Sequence, residues 1–417
     1  MNLQHSRQLK PARQVQSKPC GAWRQCVSTS SRRSSARQVS VAVSYAPDGS
    51  TMEDGPDYSA VQRNLALELV RVTEAAALAS GRWMGKGDKN AADQAAVDMM
   101  RKVLNSIFMD GVVVIGEGEK DEAPMLYCGE RIGAGSGGPS VDIAVDPLDG
   151  TSLTAQGRNG AVSVIAVAPR GSLFDPGPCM YMEKLAVGPE VPAHLISLDY
   201  SVRRNLNEIA RALRKPVSDV TVLVLDRPRH ADLIRQCREA GARIRLISDG
   251  DVGGAIEVAK AGSPVDVLMG IGGTPEGVIA ACALKCMGGT LQGRLWPRSE
   301  EEAGKARAKG YDLTKILHLN DLVKGDDVFF AATGVSDGDL LRGVRYFSGG
   351  ASTSSMVMRC KSGTVRFVET YHRWAKPSVT NLPQEEHALA SGHAGSDIHS
   401  SPGDPHLLIR QPAPAWH

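Results

Sequence analysis

Between residues 220 and 287, strand-like apolar runs alternate with helix-like amphipathic runs. This alternation constrains the fold of the 417-residue chain more than any other feature. Residues 220–225, 244–247 and 265–269 read as strands, and 230–240, 252–260 and 275–287 as helices. Repeated β-α units predict a mostly parallel sheet that gathers its ligands at the carboxyl ends of the strands. The first half has another rhythm. Leu65, Leu69, Val72, Ala76 and Ala79 recur at helical spacing over 58–84, and Val97, Met100, Val103, Leu104 and Ile107 form a second apolar stripe after GDKNAAD. Strands are expected at 112–115, 141–146 and 161–168, and later at 328–332, 356–359 and 365–370. The change of rhythm divides the chain into an α+β half over 58–215 and an α/β half over 216–374.

Hydrophobic residues make up 42% and charged residues 23%, the balance of a globular chain. The longest clean apolar run, 278–284, is too short to cross a bilayer, so no membrane partner is expected. Residues 1–47 hold eight Lys+Arg and no Asp or Glu and are rich in Ser, the composition of a plastid or mitochondrial transit peptide; Ser content favours the plastid stroma. The rest of the chain carries 40 Lys+Arg against 46 Asp+Glu, a net of −6, which argues against nucleic acid as partner. Residues 375–417, with six prolines and five of the ten histidines, read as a mobile tail. The eight cysteines show no metal spacing, and most sit in apolar contexts that suit small buried hydrophobes.

Chemistry concentrates in VDIAVDPLDGT, 141–151. Strand alternation puts Asp142, Ala144 and Asp146 on one face, and Pro147 is expected to end the ladder so that Asp149, Gly150 and Thr151 turn back over it. Clustered carboxylates suit Mg²⁺ or Mn²⁺, although a self-capping Asp-Pro-x-Asp-Gly turn needs no cation. In GDKNAAD, Asn90 is the expected helix cap, and Asp93 is either its capping partner or a metal ligand. Glu117 and Glu119 follow a buried-looking strand between close-approach glycines; the run Glu117, Glu119, Asp121, Glu122 also fits a solvated loop. GIGGTPEG, 270–277, reads as a glycine loop opening a helix, with Thr274 as cap and Glu276 in the first turn. It matches neither a dinucleotide motif nor a P-loop. Arg227-Pro228-Arg229-His230 offers basic groups for an anionic substrate, its guanidinium forks suited to phosphate, and the turn Asp249-Gly250-Asp251 offers carboxylates for sugar hydroxyls.

In order, GDKNAAD, GEGEKDEAPML, VDIAVDPLDGT, CMYMEKLAVGP, RPRHADLI, SDGDV and GIGGTPEGV closely resemble class II fructose-1,6-bisphosphatases over about residues 58–374. PLDGT and VRYFSGGA…VRFVET resemble the cyanobacterial branch that also acts on sedoheptulose-1,7-bisphosphate. The resemblance implies a layered α/β/α/β/α sandwich of the metal-dependent, lithium-sensitive sugar phosphatases. It implies two or more Mg²⁺ or Mn²⁺ ions on Asp93, Glu117, Asp146, Asp149 and Glu276, with Thr151 orienting the attacking water. Asp149, Gly150, Thr151, Tyr181, Arg227, Pro228, Arg229, Asp249, Gly250, Asp251 and Gly273 match sugar-phosphate contacts. A small-molecule sugar bisphosphate and a homo-oligomer, dimer or tetramer, are the implied partners. Other readings are an inositol- or nucleotide-type phosphomonoesterase and a non-catalytic sugar-phosphate-binding regulator. The stretch GRLWPRSEEEAGKARAKG, 293–310, is shorter than its family counterpart and contains no matched site residue.

Overall fold

The computed structural model describes residues 58–118, 125–135 and 137–374, so the leader, the tail, Glu119 and Asp121 lie outside the described residues. The chain begins with helices α1 (Tyr58–Ser80) and α2 (Lys89–Leu104). Strands β1 (Asp110–Ile115), β2 (Arg131–Ile132) and β3 (Ser140–Asp149), the short helix α3 (Thr151–Gln156) and strand β4 (Val162–Pro169) follow. Next come β5 (Tyr181–Val187), α4 (Val202–Ala212), β6 (Thr221–Leu225), α5 (Ala231–Ala240), β7 (Arg243–Ile247), α6 (Asp251–Glu257) and β8 (Val267–Gly273). Then α7 (Thr274–Met287), β9 (Thr290–Leu295), α8 (Glu300–Ala308), β10 (Leu317–His318) and α9 (Leu319–Leu322) lead to β11 (Phe329–Gly334), β12 (Arg345–Phe347), β13 (Gly350–Arg359) and β14 (Thr364–Arg373).

Period-two burial builds the layers. Along β4, Val162, Val164, Ala166 and Ala168 face one core while Ile165 and Val167 face another, and in β11 Phe330 and Ala332 oppose Phe329 and Ala331 in the same way. A strand buried on both faces needs a helical layer on each side. Helices α1 and α2 cover the outer face of the first sheet, ordered β12-β13-β11-β4-β3-β1-β2 with β14 on β13. Helices α4 and α5 cover the outer face of the second, ordered β10-β9-β5-β8-β6-β7. Between the sheets lie α6 and α7. The run Val278–Leu284, too short for a bilayer, is buried at every residue because this central helix meets a sheet on both sides. The order is the α/β/α/β/α expected from the resemblance.

Two expectations change. The second sheet is not mostly parallel in its pairings: β6 pairs in parallel with β7 and β8, but β5 lies antiparallel between β8 and β9, and β10 is antiparallel to β9. Sheet membership also crosses the expected division at 215, since β5 joins the second sheet and β11–β14 return to the first. Cys179, Cys237, Cys282 and Cys286 are buried and outside any disulfide. Burial pushes the Cys282 thiol up to about 12, the behaviour of a core residue.

Candidate active site

Parallel strands β6, β7 and β8 end on one cleft, and β1 and β3 of the first sheet end on carboxylates that repel Glu276 in its lining. At the end of β3, Asp146 pairs with Val164 and Asp149 with Val162, so Pro147 and Leu148 stand opposite Ser163 alone. Pro147 therefore sits in a bulge and does not end the strand as the sequence suggests, because a bulge leaves its missing N–H without a ladder partner to lose. Asp146 Oδ1 accepts the Leu148 N–H at 3.1 Å, and Asp149 Oδ2 accepts the Gly253 N–H of α6 at 3.1 Å. Gly150 then takes φ 99°, where a Cβ would stand 3.0 Å from Leu153 Cδ1, and half-buried Thr151 opens α3.

Asp93 arrives from α2. The cap of that helix is Asp88, whose carboxylate accepts the Ala91 N–H at 3.0 Å, and not Asn90, so capping does not account for Asp93. Glu117 follows β1 on a backbone drawn tight against Leu126, where a Cβ on Gly116 would lie 1.9 Å from the Leu126 carbonyl. Burial, then Asp93 and Glu276, push the Glu117 carboxyl up to about 8. Asp146 is raised by burial, then by Asp149, Glu117, Glu276 and Asp93; Asp149 by burial, then by Asp251. Glu276 is raised by burial and Asp251, against which Lys184 acts.

The five expected metal-binding carboxylates thus crowd into one electrostatic neighbourhood. Among the described residues no three His, Cys, Asp or Glu side chains already form a cage for an ion. Hard oxygen donors, mutual repulsion and a buried Glu276 Oε2 without a hydrogen-bond partner nevertheless fit a divalent cation.

The adjoining wall mixes arginines with carboxylates. Tyr181, Arg227, Arg229, Asp249, Asp251, Gly273 and Glu276 line a cleft of about 380 Å³. Pro228 opens a 3-10 turn over 228–230, and Gly250, at φ 81°, precedes α6; both set the backbone of this wall. The glycine motif is not a loop: Gly270–Gly273 complete β8 opposite Tyr181–Lys184, and Gly273, not Thr274, caps α7. A Cβ on Gly272 would lie 2.0 Å from Asp251 Oδ2, and one on Gly273 would lie 1.7 Å from Glu276 Oε2. These glycines make room for carboxylates.

Sequence reasoning passed over Lys184, although it stands in a quoted motif. It is 2% exposed, and its Nζ donates to Asp251 Oδ2 at 2.6 Å. A lysine between Met182 and Ala186 at the period-two spacing of a strand's buried face was the available signal. His230, expected beside the arginines as a basic group for anionic substrate, instead spends both ring nitrogens on the backbone. Buried at the end of β6, it accepts the Ile271 N–H on Nε2 at 2.8 Å, and its Nδ1 lies 2.7 Å from the Leu225 carbonyl. Accepting on Nε2 requires a neutral ring, so Nδ1–H is the donor to Leu225, and burial holds the pKa below the ordinary value. The ring ties β6 to β8 behind the arginines.

A five-layer α/β protein with crowded carboxylates beside an arginine-bearing cleft is an enzyme of the sugar phosphatase class. The chain belongs to the family described as bacterial fructose-1,6-bisphosphatase, glpX-encoded, whose model matches residues 63–372. It is 46% identical over 336 residues to a "D-fructose 1,6-bisphosphatase class 2/sedoheptulose 1,7-bisphosphatase" of Synechococcus sp. (strain JA-2-3B'a(2-13)), covering 75% of this chain and 96% of that protein. Proteins with the same description from Synechococcus sp. (strain JA-3-3Ab) and Microcystis aeruginosa (strain NIES-843 / IAM M-2473) are 47% and 43% identical. They cover 75% and 77% of this chain and 96% and 100% of their own lengths.

Proposed function

We propose that this protein hydrolyses the 1-phosphate of fructose-1,6-bisphosphate, and the corresponding phosphate of sedoheptulose-1,7-bisphosphate, with Mg²⁺ or Mn²⁺. The observation that carries this reading is that a crowded carboxylate cluster and a pair of arginines meet at one cleft. Arg227 and Arg229 line it together with Glu276, and Glu276 repels Asp146 and Asp149 electrostatically. A substrate with two phosphates answers both the metal-binding carboxylates and the arginines, whereas a simple monoester leaves the arginines without a partner.

Asp93, Glu117, Asp146, Asp149 and Glu276 would hold the ions, two or more in number. Bound divalent ions supply charge neutralisation at the phosphoryl oxygens and lower the pKa of water. The protein's own groups do the rest. Asp149 is aimed by the Gly253 N–H, and Thr151 orients a water for in-line attack on phosphorus. The P–O bond to C1 breaks as the new P–O bond forms, and the leaving oxygen takes a proton to give the sugar alcohol and inorganic phosphate. Asp251, fixed by Lys184 through one oxygen, leaves its other oxygen to accept from a sugar hydroxyl.

The test is phosphate release from both bisphosphates in parallel by protein beginning at Asp48, with Mg²⁺, Mn²⁺ or chelator. Metal-dependent release from both is expected. Release from neither by folded, metal-supplied protein would overturn the reading in favour of a binding protein.

We also propose a plastid stromal location, supported by the basic, acid-free, Ser-rich residues 1–47; a fluorescent fusion of that segment that stays outside plastids would refute it. A homo-oligomer is supported by Phe347, Phe367 and Tyr371, exposed by 47%, 58% and 70% on the outer strands β12 and β14. A light-scattering mass of one chain would contradict it.

A further inference from the structure

The loop after β9 brings an unassigned cation to the cleft. Arg298 follows Pro297 and precedes Ser299, the cap of α8, within the stretch that departs in length from the family pattern. It lines the same cleft as Arg227 and Arg229. Its guanidinium carbon stands 5.6 Å from the centre of the Tyr181 ring, and that of Arg229 stands 5.3 Å from the same ring. The ring is in turn braced edge-on by Trp296, at 6.4 Å between centres. Two guanidiniums held against one aromatic ring at the mouth of a cleft form a site for an anion.

The side chain is fixed along one edge. Arg298 Nε and the Arg298 backbone N–H both donate to Glu302 Oε2 at 3.1 Å. Glu302 Oε1 accepts the Met180 N–H at 3.2 Å, and the Glu302 backbone is itself held by Ser299 Oγ. Glu302 is 9% exposed; burial would raise its carboxyl, but the hydrogen bonds from Arg298 and Met180 outweigh it and hold the pKa below the usual value. Arg229 is tied in the same manner, with Nε and Nη2 donating to the Ile271 carbonyl at 3.2 and 2.8 Å. In Arg298 the two Nη groups stay outside this buried network, on a side chain that is 59% exposed. A preorganised guanidinium with a free edge suits bidentate bonding to phosphate.

We infer that Arg298 is a third arginine of the cleft's anion-binding end, contacting the phosphate that is not hydrolysed, and that Glu302 is its positioning residue. This rests on the bisphosphate reading, because it gives Arg298 the end of the substrate remote from the carboxylates. It assigns a role in substrate selection to the 293–310 stretch.

The experiment is calorimetric binding of fructose 6-phosphate, which carries only the remote phosphate, to the unaltered protein and to Arg298→Gln, together with steady-state kinetics on fructose-1,6-bisphosphate. The dissociation constant is expected to rise about tenfold to a hundredfold, as for loss of a charge-assisted pair. The KM for the bisphosphate should rise in parallel, with kcat within about threefold. Glu302→Gln should give a smaller rise, and none in the Arg298→Gln background. An unchanged dissociation constant for fructose 6-phosphate in folded Arg298→Gln would overturn the inference and leave Arg298 a capping residue of α8. Absence of bisphosphate turnover by the unaltered protein would instead sink the proposed function, while the binding comparison would still decide Arg298.

Discussion

Asp149→Asn is expected to lower turnover at saturating divalent metal by on the order of 10²–10³-fold or more, with the fold intact. Asparagine has the same shape, and its amide oxygen can still accept the Gly253 N–H now received by Asp149 Oδ2 at 3.1 Å. What disappears is a negative charge that burial and Asp251 already disfavour. The metal-free variant should therefore melt no lower than the parent, because a repulsive charge has been removed from a crowded site. The pair of outcomes is diagnostic, since a structural residue would lose stability and activity together. Glu300→Gln, at a side chain 93% exposed at the start of α8, is the control and should change turnover by less than twofold. Equal losses in the two variants would remove Asp149 from the centre.

Lys184→Met carries the largest expected loss of stability. Lys184 and Asp251 are 2% and 9% exposed and are joined at 2.6 Å, so the variant leaves a buried carboxylate without its partner. Removing one member of such a pair costs about 3–5 kcal/mol, against a total stability of about 5–15 kcal/mol for a domain. A melting point lower by on the order of 10 °C follows for a chain of this size. The double variant Lys184→Met with Asp251→Asn should recover much of that loss, because no charge is then left uncompensated. It should still bind the sugar bisphosphate poorly, as the neutral side chain accepts less strongly from a hydroxyl. A double variant as unstable as the single one would show that Lys184 acts by packing alone.

The elements were legible where periodicity is local. The β-α alternation after 220, the two N-terminal helices and the strands around Asp142 and Ile165 all appear within a residue or a few of their expected bounds. What could not be read is set by contacts distant in sequence. Gly270, Gly272 and Gly273 look like a phosphate loop, yet they belong to a strand whose neighbours are His230, Asp251 and Glu276. Pro147 looks like a strand end, yet the register slip against β4 absorbs it. Strand β5 was overlooked because Glu183 and Lys184 interrupt its apolar pattern, and Lys184 turns inward only because Asp251 waits across β8.

The candidate site was legible through its carboxylates, which lie in short, ordered motifs. Its cations were less so. Arg227 and Arg229 stand beside a strand end, but Arg298 comes from a loop whose position depends on Glu302 reaching back to Met180, 122 residues away in sequence. Nothing in the local sequence fixes such a contact. Likewise Asp88, not the more familiar Asn90, is the cap because the helix begins at Lys89, two residues earlier than an Asn90 cap would place it.

On the proposed function, the carboxylate cluster holds divalent cations and destabilises the protein when no cation is bound. Burial raises the folded-state pKa values of Asp93, Glu117, Asp146, Asp149 and Glu276, and neighbouring carboxylates raise the last four further, with Glu117 at about 8. Carboxyls raised in this way favour the folded state while protonated, so their contribution is fully present below the ordinary carboxylate range. It is lost as pH rises toward about 8. A cation bound to the ionised groups reverses that loss. The deciding measurement is the melting temperature of the parent and of Asp149→Asn at about pH 5.5 and about pH 8, with Mn²⁺ and with chelator. The expected gain on Mn²⁺ addition is on the order of 5–10 °C at a hundredfold excess over the dissociation constant, larger at the higher pH and much reduced in the variant. A gain independent of pH and equal in both proteins, or no gain at all, would contradict it.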